Sequence, residues 1–197
     1  MKKILIFTVF LLFSAQSFTQ SLGTVGISFS MVSSNKMMRV GENLPADYGM
    51  NGAGLLSLGA DYIYPLNNWM SVESGLNYSY ERFMKTTTDN GNSELVKTEE
   101  NIHLLSIPVG FRITFLKYGF IDSGVLLDLL NEPGFGSYLG GGVHFQSEYG
   151  LGLLLSPYVK VHSLVPFNFN LDTDRIIDTG IKIGITYSID YFLKNQR

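Results

Sequence analysis

From residue 178 to residue 191 the chain changes character at every step. Thr179, Ile181, Ile183, Ile185, Tyr187, Ile189 and Tyr191 fall on one side, and Asp178, Gly180, Lys182, Gly184, Thr186, Ser188 and Asp190 on the other. A period of two belongs to an extended strand with one apolar and one polar face, since a helix repeats every 3.6 residues. The same rhythm recurs upstream. Residues 103–115 set His103, Leu105, Ile107, Val109, Phe111, Ile113 and Phe115 against Leu104, Ser106, Pro108, Gly110, Arg112 and Thr114. In residues 70–80, Met70, Val72, Leu76, Tyr78 and Tyr80 oppose Ser71, Glu73, Gly75, Asn77 and Ser79. Weaker versions mark further segments, so alternation predicts strands at 22–32, 52–65, 69–86, 101–116, 118–130, 135–147, 149–163 and 176–192.

Most of these strands reach the 9–11 residues that a tilted strand needs to cross a bilayer, against about 5–6 for a usual soluble strand. The connections between them are unequal. Short turns are expected at 66–68, 117 and 148, and longer links at 33–51, 87–100 and 164–175, with a short exception at 131–134. Short turns on one side and longer loops on the other are the pattern of an up-and-down membrane barrel. Composition agrees: charged residues are 16% of the chain and aromatics 13%, with 21 glycines. A soluble domain averages about 25% charged. The fold class expected is therefore all-β, an eight-stranded antiparallel up-and-down transmembrane β-barrel. Its soluble competitor is a lipocalin-type barrel, whose apolar face would turn inward around a ligand.

Residues 1–20 stand apart. Lys2 and Lys3 precede an apolar run from Ile4 to Phe13, and small residues follow at Ala15, Ser17 and Thr19. The run is too short for a membrane helix and reads as a secretory signal peptide, cleaved near residue 19 or 20. The barrel domain is then 21–197. Losing Lys2 and Lys3 leaves 12 basic and 17 acidic residues, which takes the net charge from −3 to −5. An acidic exported chain is a poor nucleic-acid partner. With no cysteine there is no disulfide, no thiolate metal site and no thiol nucleophile.

An eight-stranded wall encloses just enough room for side chains. The inward row is expected to hold Asp61, Glu73, Glu81, Arg112, Asp128, His144, Lys160 and Lys182 as a polar network that plugs the centre. His162 falls on the same row, and His103 faces outward. Catalysis has a thin basis. His144 and Ser156 would have to approach across neighbouring strands, with Glu73 or Asp128 as a distant third member, for a deacylase-like enzyme that processes envelope lipids. His162-Ser163 are adjacent in sequence, but strand neighbours point to opposite faces. A metal site at His144 and His162, or at Asp172 and Asp174 with Asn168 and Asn170, is read instead as ordinary polar structure, and so is the polar rim Thr86–Asn92. Gly140-Gly141-Gly142 lacks the lysine and the helix that a phosphate loop needs. No cofactor and no catalytic or metal residue is assigned.

The segment His103-Leu104-Leu105-Ser106-Ile107-Pro108-Val109-Gly110-Phe111-Arg112, a leucine-x-isoleucine-proline element running into an apolar strand, resembles the PorT-like outer-membrane β-barrels of Bacteroidetes-type bacteria. The resemblance extends over nearly all of 21–192. It implies a location in the outer membrane of a Gram-negative bacterium and an eight-stranded barrel, but no single activity; the even strand count, with short periplasmic turns, sets both mature termini in the periplasm. The partners expected are outer-membrane lipid, the outer-membrane assembly machinery and an envelope or extracellular protein. The function expected is non-enzymatic: structural, adhesive or accessory to transport. The ending Phe192-Leu193-Lys194-Asn195-Gln196-Arg197 departs from the terminal aromatic residue common in such barrels.

Overall fold

The computed structural model describes residues 22–40, 49–88, 95–131, 133–167 and 173–190. Among them are eight strands: β1 (Thr24–Val40), β2 (Gly49–Pro65), β3 (Met70–Thr88), β4 (Leu95–Phe115), β5 (Gly119–Asp128), β6 (Gly134–Gln146), β7 (Leu151–Pro166) and β8 (Thr173–Ser188). Each pairs antiparallel with the next, and β1 pairs with β8, so the sheet closes on itself. Closure leaves no row of unpaired backbone N–H and C=O groups along an edge.

Several strands run further than alternation predicts. β1 was expected to stop at 32 and continues to Val40, β4 begins at Leu95 rather than 101, and β7 ends at Pro166 rather than 163. The added residues are mostly polar, as in Ser33-Ser34-Asn35-Lys36 and Lys97-Thr98-Glu99-Glu100. They pair as a regular ladder, with Asn35 opposite Asp178 and Lys97 opposite Thr86. A strand that carries polar residues on both faces has no hydrophobic rhythm to read, but its backbone pairs equally well. The expected long links at 33–51, 87–100 and 164–175 shrink accordingly.

Bulges set which face looks inward. In β1 the register shifts between Ser30 and Val32. Before the shift the even-numbered Ser28 and Ser30 are buried; after it the odd-numbered Asn35 and Met37 are. An extra residue in one strand reverses the side of everything beyond it.

The outer face is apolar in a continuous belt to which every strand contributes, through Ile27, Leu58, Leu76, Phe111, Val125, Leu139, Leu153 and Ile183. These side chains are about half exposed, and Ile27 reaches 68%. Such an area is far beyond the scattered apolar residues of a soluble surface. Aromatic residues border it. Trp69, Tyr118 and Tyr149 lie at the short-turn end, where the Tyr118 and Phe145 rings stand 4.6 Å apart. Phe135 and Phe167 meet edge to face at 5.2 Å near the other end.

Both ends of the described chain are tied to the short-turn side. Ser188 N–H donates to Gly150, Ile189 N–H to Gly23, and the Tyr62 hydroxyl to the Leu22 carbonyl. Inside, at the opposite end, Met37, Phe83, Ile102, Leu104 and Ile176 form a buried apolar plug. The interior is thus apolar as well as polar towards its loop end.

Candidate functional site in the barrel interior

Glu73, Glu81, Arg112 and Asp128 are buried, Asp61, His144, Lys160 and Lys182 half-buried, and the interior side chains stack in three layers. The layer nearest the short turns centres on Arg112 of β4. Its Nη2 lies 2.8 Å from Glu73 Oε2 and 3.1 Å from Asp122 Oδ2, with all three side chains at most 10% exposed. The guanidinium also sits 4.0 Å over the Phe120 ring. Both carboxylates meet Nη2, while Nε and Nη1 are buried without a hydrogen-bond partner, and removing the cation would strand the two carboxylates. The Tyr138 hydroxyl of β6 donates to Glu73 Oε1 of β3 at 2.8 Å.

Reaching that far requires bare backbone. Glu73 pairs with Gly110, Gly110 with Gly124, and Gly124 with Tyr138, so the four lie in one row across β3 to β6. A methyl group at Gly110 would strike the Tyr138 hydroxyl and the Ser123 carbonyl, and one at Gly124 would come within 2.8 Å of the Tyr138 ring. The glycines are there to let the ring lie flat over two strands.

In the middle layer, Lys182 Nζ is 3.8 Å from Asp61 Oδ1, and the Ser28 hydroxyl donates to Asp61 Oδ2 at 2.7 Å. Lys160 places its ammonium 4.8 Å over the Tyr158 ring. Tyr158 in turn shares a 3.0 Å hydrogen bond with Ser30. The cavity between them measures about 50 Å³, room for a few waters, and a larger one of about 290 Å³ lies beside Arg112, Phe120 and His144 at the short-turn end. The centre is filled by side chains.

The loop-side layer holds His162 of β7. Its Nδ1 donates to Asp128 Oδ1 of β5 at 2.8 Å, while the Ser163 N–H donates to Asp128 Oδ2 at 3.1 Å. Sequence reasoning set His162 and Ser163 on opposite faces, yet both are fully buried. The cause is a bulge opposite Phe135 and Ser137, where Ser163 takes a left-handed φ of 53°. Gly136 keeps β6 bare between Asp128 and His162: a Cβ there would lie 3.1 Å from Asp128 Oδ2 and 3.2 Å from the His162 Cα. Glu81 and Asp178 lie in the same layer, and Asn35 donates to Glu81 Oε2 at 3.2 Å.

His144 does not meet Ser156. Its Nε2 bonds Thr186 Oγ1 at 2.8 Å, and Ser156 donates to the Gly141 carbonyl at 3.3 Å. Glu73 and Asp128, the residues considered for a third role, are engaged by Arg112 and His162. The nucleophile and base of a deacylase are therefore not assembled from this pair. His103 faces outward as expected, 2.7 Å from the Tyr78 hydroxyl. The side chains of Asn168, Asn170, Asp172 and Asp174, most of Thr86–Asn92, the leader 1–20 and the ending Phe192–Arg197 lie outside the described residues.

Asp122, Asp178 and Tyr138 were not singled out beforehand, although each occupies the inward row of its own alternating strand. Treating every polar residue of those rows as a network member would have found them. What alternation does not carry is which members of different strands meet.

No protein-family model and no curated protein matches the chain. Solved structures do. Neisserial surface protein A (NspA) aligns at 11% identity over 86% of this chain and 99% of its own, with a TM-score of 0.50. Ail, the attachment invasion locus protein of Yersinia pestis, aligns at 12% identity over 84% and 99%, with a TM-score of 0.41. The translocator domain of the autotransporter NalP from Neisseria meningitidis covers 95% and 96% at 11% identity and a TM-score of 0.39. The fold is an all-β, antiparallel one that resembles outer-membrane β-barrels.

Proposed function

We propose that the chain is an eight-stranded up-and-down transmembrane barrel of the outer membrane of a Gram-negative bacterium, with a non-enzymatic structural, adhesive or accessory-transport role. The observation that carries this reading is the pairing of an unbroken apolar belt outside with a packed polar network inside. A lipocalin-type barrel needs the reverse arrangement. In this reading residues 1–20 are removed on export, and the short-turn end, to which both described chain ends are tied, faces the periplasm. The loop end then meets the exterior and the envelope or extracellular partner, while the belt meets lipid and the assembly machinery inserts the strands. The similarity of 103–112 to PorT-like barrels supports a Bacteroidetes-type source.

With the interior filled, a role in transport would be accessory, and binding work falls to the loop rim. Outer-membrane fractionation together with heat-dependent gel mobility tests the proposal. The unheated protein should migrate faster than the boiled one and partition with outer membranes. Recovery as fully soluble material without detergent would rule the reading out.

A further inference from the structure

Glu81, His162 and Asp178 come from β3, β7 and β8, and each offers one ligand atom to a common point, all within 4.8 Å of one another. None is more than 1% exposed. Among the described residues Glu81 Oε1, His162 Nε2 and both Asp178 carboxylate oxygens have no hydrogen-bond partner. From these groups we infer a binding site for a single divalent transition-metal cation of the zinc type, buried in the loop-side layer of the barrel.

The chemistry of the donors selects the ion. Asp128 can only accept, so Nδ1 carries a proton, and Nε2 faces the Asp178 carboxylate, where it would turn its lone pair to a bound ion. A carboxylate holding the far nitrogen of a ligating histidine is the usual support of a metal-bound imidazole. Imidazole with two carboxylates favours zinc and its first-row neighbours over calcium and magnesium, which prefer oxygen throughout. His162 Nε2 is 3.4 Å from Asp178 Oδ2, a poor hydrogen bond by its geometry but about the separation of two ligand atoms 2.0–2.2 Å from a tetrahedral ion.

The backbone is shaped for this set. Ser163 at a φ of 53° is a strained non-glycine residue, and the bulge it creates gives Asp128 both the imidazole and a backbone N–H. Asn35, brought inward by the β1 bulge, holds the second Glu81 oxygen, leaving Oε1 for the ion. A protonated His162 alone would leave Glu81 Oε1 and Asp178 Oδ1 with no donor, whereas a divalent cation serves all three residues. The apolar plug of Met37, Phe83, Ile102, Leu104 and Ile176 closes the layer, so the ion enters as the barrel forms.

The full chain would be refolded in detergent with equimolar zinc sulfate or with EDTA, then freed of loose metal by gel filtration and measured by mass spectrometry. About one zinc per folded chain is expected, with loss of at least nine-tenths in Glu81→Gln, His162→Gln or Asp178→Asn variants that keep heat-dependent mobility. Should those variants fail to fold, cobalt refolded into the unaltered chain supplies a second reading. Intense visible absorption bands of a four-coordinate site support the proposal, and a spectrum of hydrated cobalt overturns it. So does a folded chain without zinc, as for a network closed by protons alone. Stoichiometric zinc that survives loss of Glu81 but not of the exposed His103 would overturn it too.

Discussion

The Tyr138 hydroxyl donates to Glu73 over two intervening strands, and it can do so because Gly110 and Gly124 lie directly beneath its ring. Glu73 also holds Arg112, which holds Asp122, so one tyrosine ties β6 to the charge network of β3, β4 and β5. The row Glu73, Gly110, Gly124, Tyr138 runs across β3, β4, β5 and β6 in register.

Gly110→Ala should destabilise the folded state by about 1–3 kcal/mol, because the added methyl meets a backbone carbonyl as well as the tyrosine. Tyr138→Phe should cost about 1–3 kcal/mol by leaving a buried Glu73 oxygen without its donor. Urea unfolding in detergent, followed through the single tryptophan, measures both.

Arg112→Met leaves the buried Glu73 and Asp122 carboxylates facing each other without their cation. A loss of about 3–5 kcal/mol is expected. Adding Glu73→Gln and Asp122→Asn to Arg112→Met should recover a large part of that loss, since the repulsion is then gone. An unfolding series over the single, double and triple variants tests the coupling; strictly additive effects would mean that the three side chains do not act as a unit.

On the outer face, Ile183→Lys in the belt should cost about 2–4 kcal/mol in lipid vesicles, against about 0–1 kcal/mol for Tyr149→Lys at the turn end. Ile183 is 51% exposed and Tyr149 74%, so exposure alone would rank them the other way. Equal costs in a bilayer would contradict a belt centred on β8.

Trp69, half exposed beside the turn that joins β2 and β3, reports depth. Lipids brominated near the headgroup should quench its emission more strongly than lipids brominated near the chain ends, as expected for an interfacial tryptophan. The reverse order would place the short-turn end inside the hydrocarbon.

Ser163 tests the bulge. Ser163→Gly removes left-handed strain but adds chain entropy, and the two nearly cancel. Ser163→Val should cost about 1–3 kcal/mol, because a β-branched residue resists a φ of 53°. Thermal unfolding of the two variants side by side gives the difference.

Much of this architecture is legible in the sequence where lipid imposes a rhythm. From Ile181 to Ile185 the alternation names both faces without help. Legibility fails where the rhythm loses its cause. Ser33 to Lys36 has no apolar face, so its strand is silent, and the bulge after Ser30 turns Asn35 and Met37 inward against the phase set by Ile27. The convergence of Glu81, His162 and Asp178 was also hidden: each sits in a visible polar row, but their meeting depends on how far the strands are staggered around the ring. Asp128 reaches His162 over Gly136, a glycine whose part is evident only once its neighbours are in place.

The five side chains gathered towards the loop end, Met37, Phe83, Ile102, Leu104 and Ile176, also give that part of the interior a water-repelling lining. A column of water cannot stand in an oily constriction of that kind. Glu81 stands opposite Ile102 and His162 opposite Ile176, so the charges of this layer sit among apolar neighbours at the same level. Glu81, Asp128, His162 and Asp178 are each at most 1% exposed, so the charges of this layer are sealed from solvent.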